Sequence, residues 1–286
     1  MKKLRITGVP EHFNFPWKNV VARQPFLENG IELIWIDESR GSGQMNKALR
    51  ENETDLAIVL TESFLQDFEA GNPSKLIGFH VLSPLIWGIH ISGKSKVTNL
   101  HDLHSYDFLI SRPGSGSNLM GYVLAQREGW PENQLNFKIV SNLQGALKEM
   151  ENGKAEMFLW EKYTTKPYVD SGDMKRIGEI PSPWPCFGII ATSKAIQEYA
   201  TLIYDLRDLV YQESKRLQSS PETTKSIAEN YQLEQEDVES WLGQTKWATN
   251  SEINLEVLKN SINRMLELGI LKKNLNPQDF LSLGGL

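Results

Sequence analysis

Apolar and polar positions alternate along this chain in a repeating order. A short apolar run is followed by a Gly- or Ser-bearing loop, then by a stretch with apolar residues at three- and four-residue spacing. Runs of the first kind predict strands at 1–9, 31–36, 54–60, 106–110, 136–140 and 155–161. Stretches of the second kind predict helices at 17–29, closed by Asn29-Gly30, at about 42–51, 64–70, from 117 onward and at 143–152. Residues 75–90 read as a long strand broken at Ser83-Pro84, and Gly93-Lys94-Ser95-Lys96 ends the next one. Pro181-Ser182-Pro183-Trp184-Pro185 is extended by its prolines and leads into an apolar strand at 186–192. Beyond Ser193 the pattern is helical, with breaks near Ser219-Ser220-Pro221, 247–250 and 272–277. Strand–helix alternation with short loops predicts mostly parallel sheets covered by helices.

The rhythm runs twice. Ser39-Arg40-Gly41-Ser42-Gly43 follows one strand, and Ser111-Arg112-Pro113-Gly114-Ser115-Gly116-Ser117 follows another. Each opens a helix, where the first N–H groups lack intrahelical partners and the dipole adds positive character. Such a loop suits an anion; it equally makes a plain N-cap and turn. Neither copy has the third glycine of a dinucleotide fingerprint or the Gly-Lys-Ser/Thr ending of a P-loop. Ser39, Gly41 and Ser42 on one side, and Arg112, Ser115, Gly116 and Ser117 on the other, are the candidate oxyanion donors. Thr61-Glu62 and Trp160-Glu161 stand at the tips of two further strands, in what reads as the same position of each half. Glu62 and Glu161 would select a hydrogen-donating or cationic ligand group, or simply cap the following turn.

The loop Pro10-Glu11-His12-Phe13-Asn14-Phe15-Pro16-Trp17 is rich in aromatic and polar side chains directly after a strand. Strand ends of open α/β sheets face the binding crevice. Glu11, His12, Phe13 and Asn14 are therefore candidate ligand contacts, with Trp160 and Trp184 as further flat walls. The competing use of these aromatics is a satellite cluster under the loop.

Composition narrows the choice. With 286 residues and 40% hydrophobic content the chain holds one large core or two medium ones. A net charge of −6 and a pI near 5.5 provide no overall basic field for nucleic acid. Cys186 stands alone, which excludes an internal disulfide and a cysteine-cluster metal site. No apolar stretch reaches the roughly 18 residues of a membrane span. Met1-Lys2-Lys3-Leu4-Arg5-Ile6 runs into a strand without an apolar leader, so a cytoplasmic location is expected, or a periplasmic one if a leader has been removed. His101 and His104 around Asp102 read as a solvated turn, and neither a cofactor nor a metal is expected.

The order of motifs resembles the type II periplasmic-binding-protein fold, in the branch of nitrate-, sulfonate- and thiamine-pyrimidine-binding proteins. Val97-Thr98-Asn99-Leu100-His101-Asp102-Leu103 is similar to that branch's Leu-x-Asp-Leu lead-in. Asn52-Glu53-Thr54-Asp55-Leu56-Ala57 resembles its Gly-x-x-Asp-hydrophobic-Ala strand, and Tyr231, Val238, Trp241 and Trp247 its helical trailer. Pro10-Glu11-His12-Phe13-Asn14 points toward a small subgroup of solute-binding-like proteins found without transporters. The resemblance implies two α/β lobes with a helical C-terminal trailer: 1–87 with 187–286, and 88–186. It implies crossings near 83–89 and 184–189, and closure on a small ligand in an interlobe cleft; the Ser/Gly loops and the aromatic walls make the expected ligand anionic and ring-bearing. A transporter partner is doubtful, since the subgroup and the missing leader both argue against one. The alternative is a cytosolic enzyme of the same fold, similar to those of the menaquinone pathway or of thiamine-pyrimidine synthesis, on a carboxylated or heterocyclic substrate. The pyrimidine synthases carry a cysteine-rich motif that lone Cys186 does not match; the chain shows no catalytic signature of the menaquinone-pathway enzymes, and His12 beside Glu11 is a candidate for general acid/base work.

Overall fold

The apolar runs form ten strands in the computed structural model, which describes residues 1–199 and 201–284. In chain order they are β1 (Lys2–Gly8), β2 (Ile31–Asp37), β3 (Leu56–Leu60), β4 (Lys75–Val81), β5 (Ile86–Ser92), β6 (Tyr106–Ile110), β7 (Leu135–Ile139), β8 (Met157–Glu161), β9 (Met174–Pro181) and β10 (Phe187–Ala191). The helices of the parallel repeats are α1 (Phe15–Arg23), α2 (Ser42–Arg50), α3 (Thr61–Glu69), α4 (Gly116–Glu128), α5 (Leu143–Met150) and α6 (Lys166–Asp170). The C-terminal helices are α7 (Ser193–Tyr199), α8 (Thr201–Ser219), α9 (Thr223–Tyr231), α10 (Gln235–Gln244), α11 (Leu255–Glu267) and α12 (Pro277–Phe280).

The chain divides into two units, Met1–Pro84 with Trp184–Leu286, and Leu85–Pro183. Unit 1 holds a sheet in the order β2-β1-β3-β10-β4, and unit 2 one in the order β7-β6-β8-β5-β9. In each, parallel strands flank one antiparallel strand: β10 between β3 and β4, and β5 between β8 and β9. The sheets are therefore mixed at one place each, which a reading of repeats alone does not anticipate. β3, Leu-Ala-Ile-Val-Leu, is buried at every position, as a central strand covered on both faces must be. The unit 2 core gathers Leu109, Val140, Ala146, Met150, Phe158 and Met174.

The division falls a little earlier than the expected 87/88 and 186/187. Ile86 and Trp87 already pair with Pro181 and Ile180 of β9, so they belong to the second sheet. Trp184, Pro185 and Cys186 are already bonded to unit 1, through Glu62, Thr61 and Ser83. α1 stops at Arg23, earlier than expected, because Gln24 precedes Pro25 and takes a left-handed conformation. The Asn29-Gly30 stop closes a separate short turn at Leu27–Asn29. α3 begins at Thr61, three residues sooner than its apolar spacing suggested. The apolar pattern does not predict β9, because its half-buried Lys175 and Arg176 and exposed Glu179 break the strand alternation.

A close approach fixes Gly78 in β4. A Cβ there would fall 2.2 Å from the Tyr211 hydroxyl, which donates to the Phe79 carbonyl. Gly78→Ala is expected to cost about 1–3 kcal/mol of stability by urea denaturation, as overpacking does. Gly243 in α10 has open space around its Cβ position, and Gly243→Ala should instead gain up to about 1 kcal/mol.

Candidate functional site

Sheet order decides which loops correspond. β1 is second in its sheet, as β6 is in the other, while β2 and β7 are edge strands. The counterpart of the Ser111–Ser117 loop after β6 is thus the loop after β1 that carries His12, not Ser39–Gly43. The latter corresponds to residues 140–142 after β7. The two Gly-Ser-Gly loops are equivalent in sequence pattern but sit at different strand ends. The glutamates are offset too: Glu62 lies six residues beyond Leu56, which pairs with Ile6, and Glu161 four beyond Met157, which pairs with Phe108.

In unit 2 the loop after β6 concentrates donors. Ser115 is the N-cap of the 13-residue α4, its hydroxyl accepting from the Asn118 N–H at 3.3 Å. The Ser115 and Ser117 hydroxyls lie 3.0 Å apart, and Ser117 accepts from the Ser111 N–H. Gly114 N–H donates to the Asn118 side chain and Ser115 N–H to the Arg112 carbonyl. Among the described residues no acceptor takes the Gly116 or Ser117 N–H groups, as expected of a first helical turn. Three hydroxyls and two N–H groups thus converge at the positive end of a long helix, all in buried residues. Arg112, half-buried, flanks this loop.

In unit 1, Gly41 caps α2 with no side-chain bond and is half-buried, while Ser39 is exposed. The Ser42 hydroxyl is spent on the Leu60 N–H at 3.0 Å, tying α2 to the end of β3. Arg40 lies bidentate against Glu38. Glu62, at the second position of α3, is fully buried; its Oε2 accepts from the Trp184 indole N–H at 2.6 Å. Its Oε1 is buried without a donor. Burial pushes this carboxyl up to about 7, against the pull of its own backbone N–H and of Trp184.

The aromatic loop serves packing. His12, Phe13 and Asn14 are buried, so they form no exposed wall in this structure. His12 stacks on Phe13 and meets Trp241 edge-on at 4.2 Å; burial holds it neutral, down at about 3, which removes it as a general acid near neutral pH. The Phe13 carbonyl accepts from His80 and Trp247. Asn14 donates to the Val9 carbonyl, and Glu11, half-buried, opens the short turn. Trp184 is buried against Glu62, so it too offers no exposed face. Trp160 is half-buried, stacked on Phe158 at the margin of the unit 2 core. Glu161 is satisfied within its own turn, accepting from the Tyr163 and Thr164 N–H groups and the Thr164 hydroxyl; burial raises it.

Two contributors escaped the sequence reading. Trp35 lies half-buried over Gly8, where a Cβ would come within 2.6 Å of its ring, and its indole N–H is held by Asp37. An aromatic at the end of an edge strand gives no periodic signal. Asn142 caps α5 through the Gly145 N–H, and its Ser-Asn lead-in lacks glycine. Among the described residues no group of three His, Cys, Asp or Glu is placed to hold a metal.

This architecture, two mixed sheets built on the same strand order with a helical trailer, is the type II periplasmic-binding-protein fold. A family model described as Ca3427-like PBP matches residues 87–180. The Candida albicans CA3427 gene product, reported to define a new family with the generic periplasmic-binding-protein fold, superposes with TM-score 0.89 at 24% identity. That match covers 100% of this chain and 98% of the other. The alkanesulfonate-binding protein SsuA of Xanthomonas axonopodis pv. citri, bound to MOPS, gives 0.80 at 14%, covering 99% and 98%. PhnD1 of Prochlorococcus marinus with methylphosphonate gives 0.63 at 12%, covering 94% and 99%. A search of curated proteins finds no match.

The buried titratable groups give opposed pH slopes. His12 at about 3, and His80 and His90 at about 4, stay neutral in the fold while the unfolded chain protonates near 6.5. Their contribution is full above about 6.5 and is lost as pH falls toward 4. Glu62 binds its proton more tightly folded than unfolded, so its contribution is full below about 4.5 and is lost as pH rises through about 7. In urea denaturation across this range, Glu62→Gln should gain progressively on the wild type between those limits; parallel curves would refute the assignment.

Proposed function

We propose that this chain is a solute-binding protein for a small organic anion, whose oxyanion is received by the first turn of α4. The supporting observation is the set of Ser111, Ser115 and Ser117 hydroxyls with the Gly116 and Ser117 N–H groups at the end of β6. Helix N-termini stabilise anions through both the N–H groups and the dipole. The fold agrees: a sulfonate-binding relative and one holding a methylphosphonate share it. Arg112 at the same loop adds positive charge. A ring on the ligand would find half-buried aromatic faces in Trp35 and Trp160.

Calorimetry against a panel of small sulfonates, phosphonates and carboxylates, with mass spectrometry of co-purifying compounds, tests this reading. Stoichiometric retention supports binding; multiple turnover of a compound would replace it with catalysis. Each donor to a charged group contributes about 1.5–3 kcal/mol, so Ser115→Ala or Ser117→Ala should weaken anion binding roughly 10- to 150-fold. Trp160→Ala should weaken ring-bearing ligands selectively. Unchanged affinity in all three variants would move the site elsewhere.

A further inference from the structure

Arg23 at the end of α1 and Arg216 on α8 share one carboxylate, that of Glu213, which is buried where the two helices pack. Arg216 grips it through both oxygens, Nε donating to Oε2 at 3.0 Å and Nη2 to Oε1 at 2.7 Å. The Asn19 amide adds a bond to Oε1 at 3.0 Å. Burial alone would raise Glu213, yet Arg216, Asn19 and Arg23 hold it below the ordinary carboxylate range, so it stays ionised. Arg216 therefore already matches its charge. Arg23 contributes one further bond, from Nη1 to Oε2 at 3.1 Å. Its Nε and Nη2 meet no acceptor among the described residues, and neither does Arg216 Nη1.

Both guanidiniums border an open pocket of about 310 Å³ that lies wholly within unit 1 and is lined also by Val20, Pro25 and Leu209. Val20 and Arg23 are three residues apart on α1, and Leu209, Glu213 and Arg216 follow at i, i+4 and i+7 of α8. Each helix thus turns one apolar residue and one guanidinium toward the same space. Pro25 is held in place from the other side, because the Gln24 amide bonds both backbone groups of Leu33 in β2, at 2.8 and 2.9 Å. The charged lining carries two positive groups against one negative, a net attraction for an anion. A guanidinium fork matches a carboxylate, and the apolar floor suits a short hydrocarbon chain.

We propose that this pocket is a second ligand site, taking a small aliphatic carboxylate whose head group is held by Arg23 and Arg216 and whose chain lies on Val20, Pro25 and Leu209. It is separate from the oxyanion site at α4, which belongs to unit 2, and neither reading rests on the other.

The Arg216 Nε–H resonance, assigned by its loss in Arg216→Lys, reports on the pocket directly, since that hydrogen is bonded to buried Glu213. At low ionic strength hexanoate should shift it saturably in the wild type, and hexanol should not. Arg23→Gln leaves Glu213 its bonds from Arg216 and Asn19, and should weaken hexanoate about tenfold or more. Hexanoate should bind about tenfold more tightly than acetate, and Leu209→Ala should cut that ratio by about twofold or more. No shift at about 20 mM hexanoate, a weakness far beyond any specific site, overturns the proposal. So does an equal response to hexanol, equal affinity for acetate and hexanoate, or undiminished affinity in folded Arg23→Gln. The hexanol and acetate comparisons use the wild type alone, so they decide the matter even if a variant fails to fold.

Discussion

One carbonyl oxygen, that of Phe13, holds unit 1 together at its strand ends. It accepts from His80 Nε2 at 2.7 Å and from the Trp247 indole at 2.9 Å, both buried. The bond fixes His80 as the Nε2–H tautomer and leaves Nδ1 bare in the core. Trp247 arrives from the C-terminal trailer, where its backbone bridges Val81 and the Ala248 N–H donates to the His80 carbonyl. The Phe13 ring meanwhile packs on Phe187 of β10 and on Trp241. Four distant stretches are thereby keyed to one turn after β1. The turn cannot move toward a ligand without stranding two buried donors, each worth about 1–3 kcal/mol when orphaned.

This explains why corresponding loops of the two units have diverged. After β6 the chain uses small hydroxyl residues and leaves N–H groups open; after β1 it fills the same place with aromatic rings locked into the trailer. Unit 2 has no trailer, so its loop keeps a polar character.

Much of the fold was legible because parallel repeats carry strong apolar periodicity, and because Pro and Gly mark the crossings. The antiparallel placement of β5 and β10 was not, since strand order depends on contacts far apart in sequence. The candidate site was harder. His12 and Trp184 have the composition of a ligand wall, but whether an aromatic faces solvent or a trailer helix is decided by packing partners more than 200 residues away in the case of His12 and Trp241. Ser115–Ser117 was readable because N-cap chemistry is local. Glu62 and Glu161 looked alike in the sequence; only three donors from 163 and 164 separate them.

The insertion of β10 between β3 and β4 has a consequence for synthesis. Unit 2, residues 85–183, is continuous, and every strand of its sheet is translated before β10. Unit 1 begins first yet lacks its central antiparallel strand, and the Trp247 that completes the Phe13 turn, until most of the chain has been translated. During that interval β3 and β4 expose the edges that β10 will occupy, both apolar and unpaired, which is the kind of edge that recruits other chains. The part of the molecule begun earliest is thus finished last, and its nascent form is the one that chaperones would need to shield.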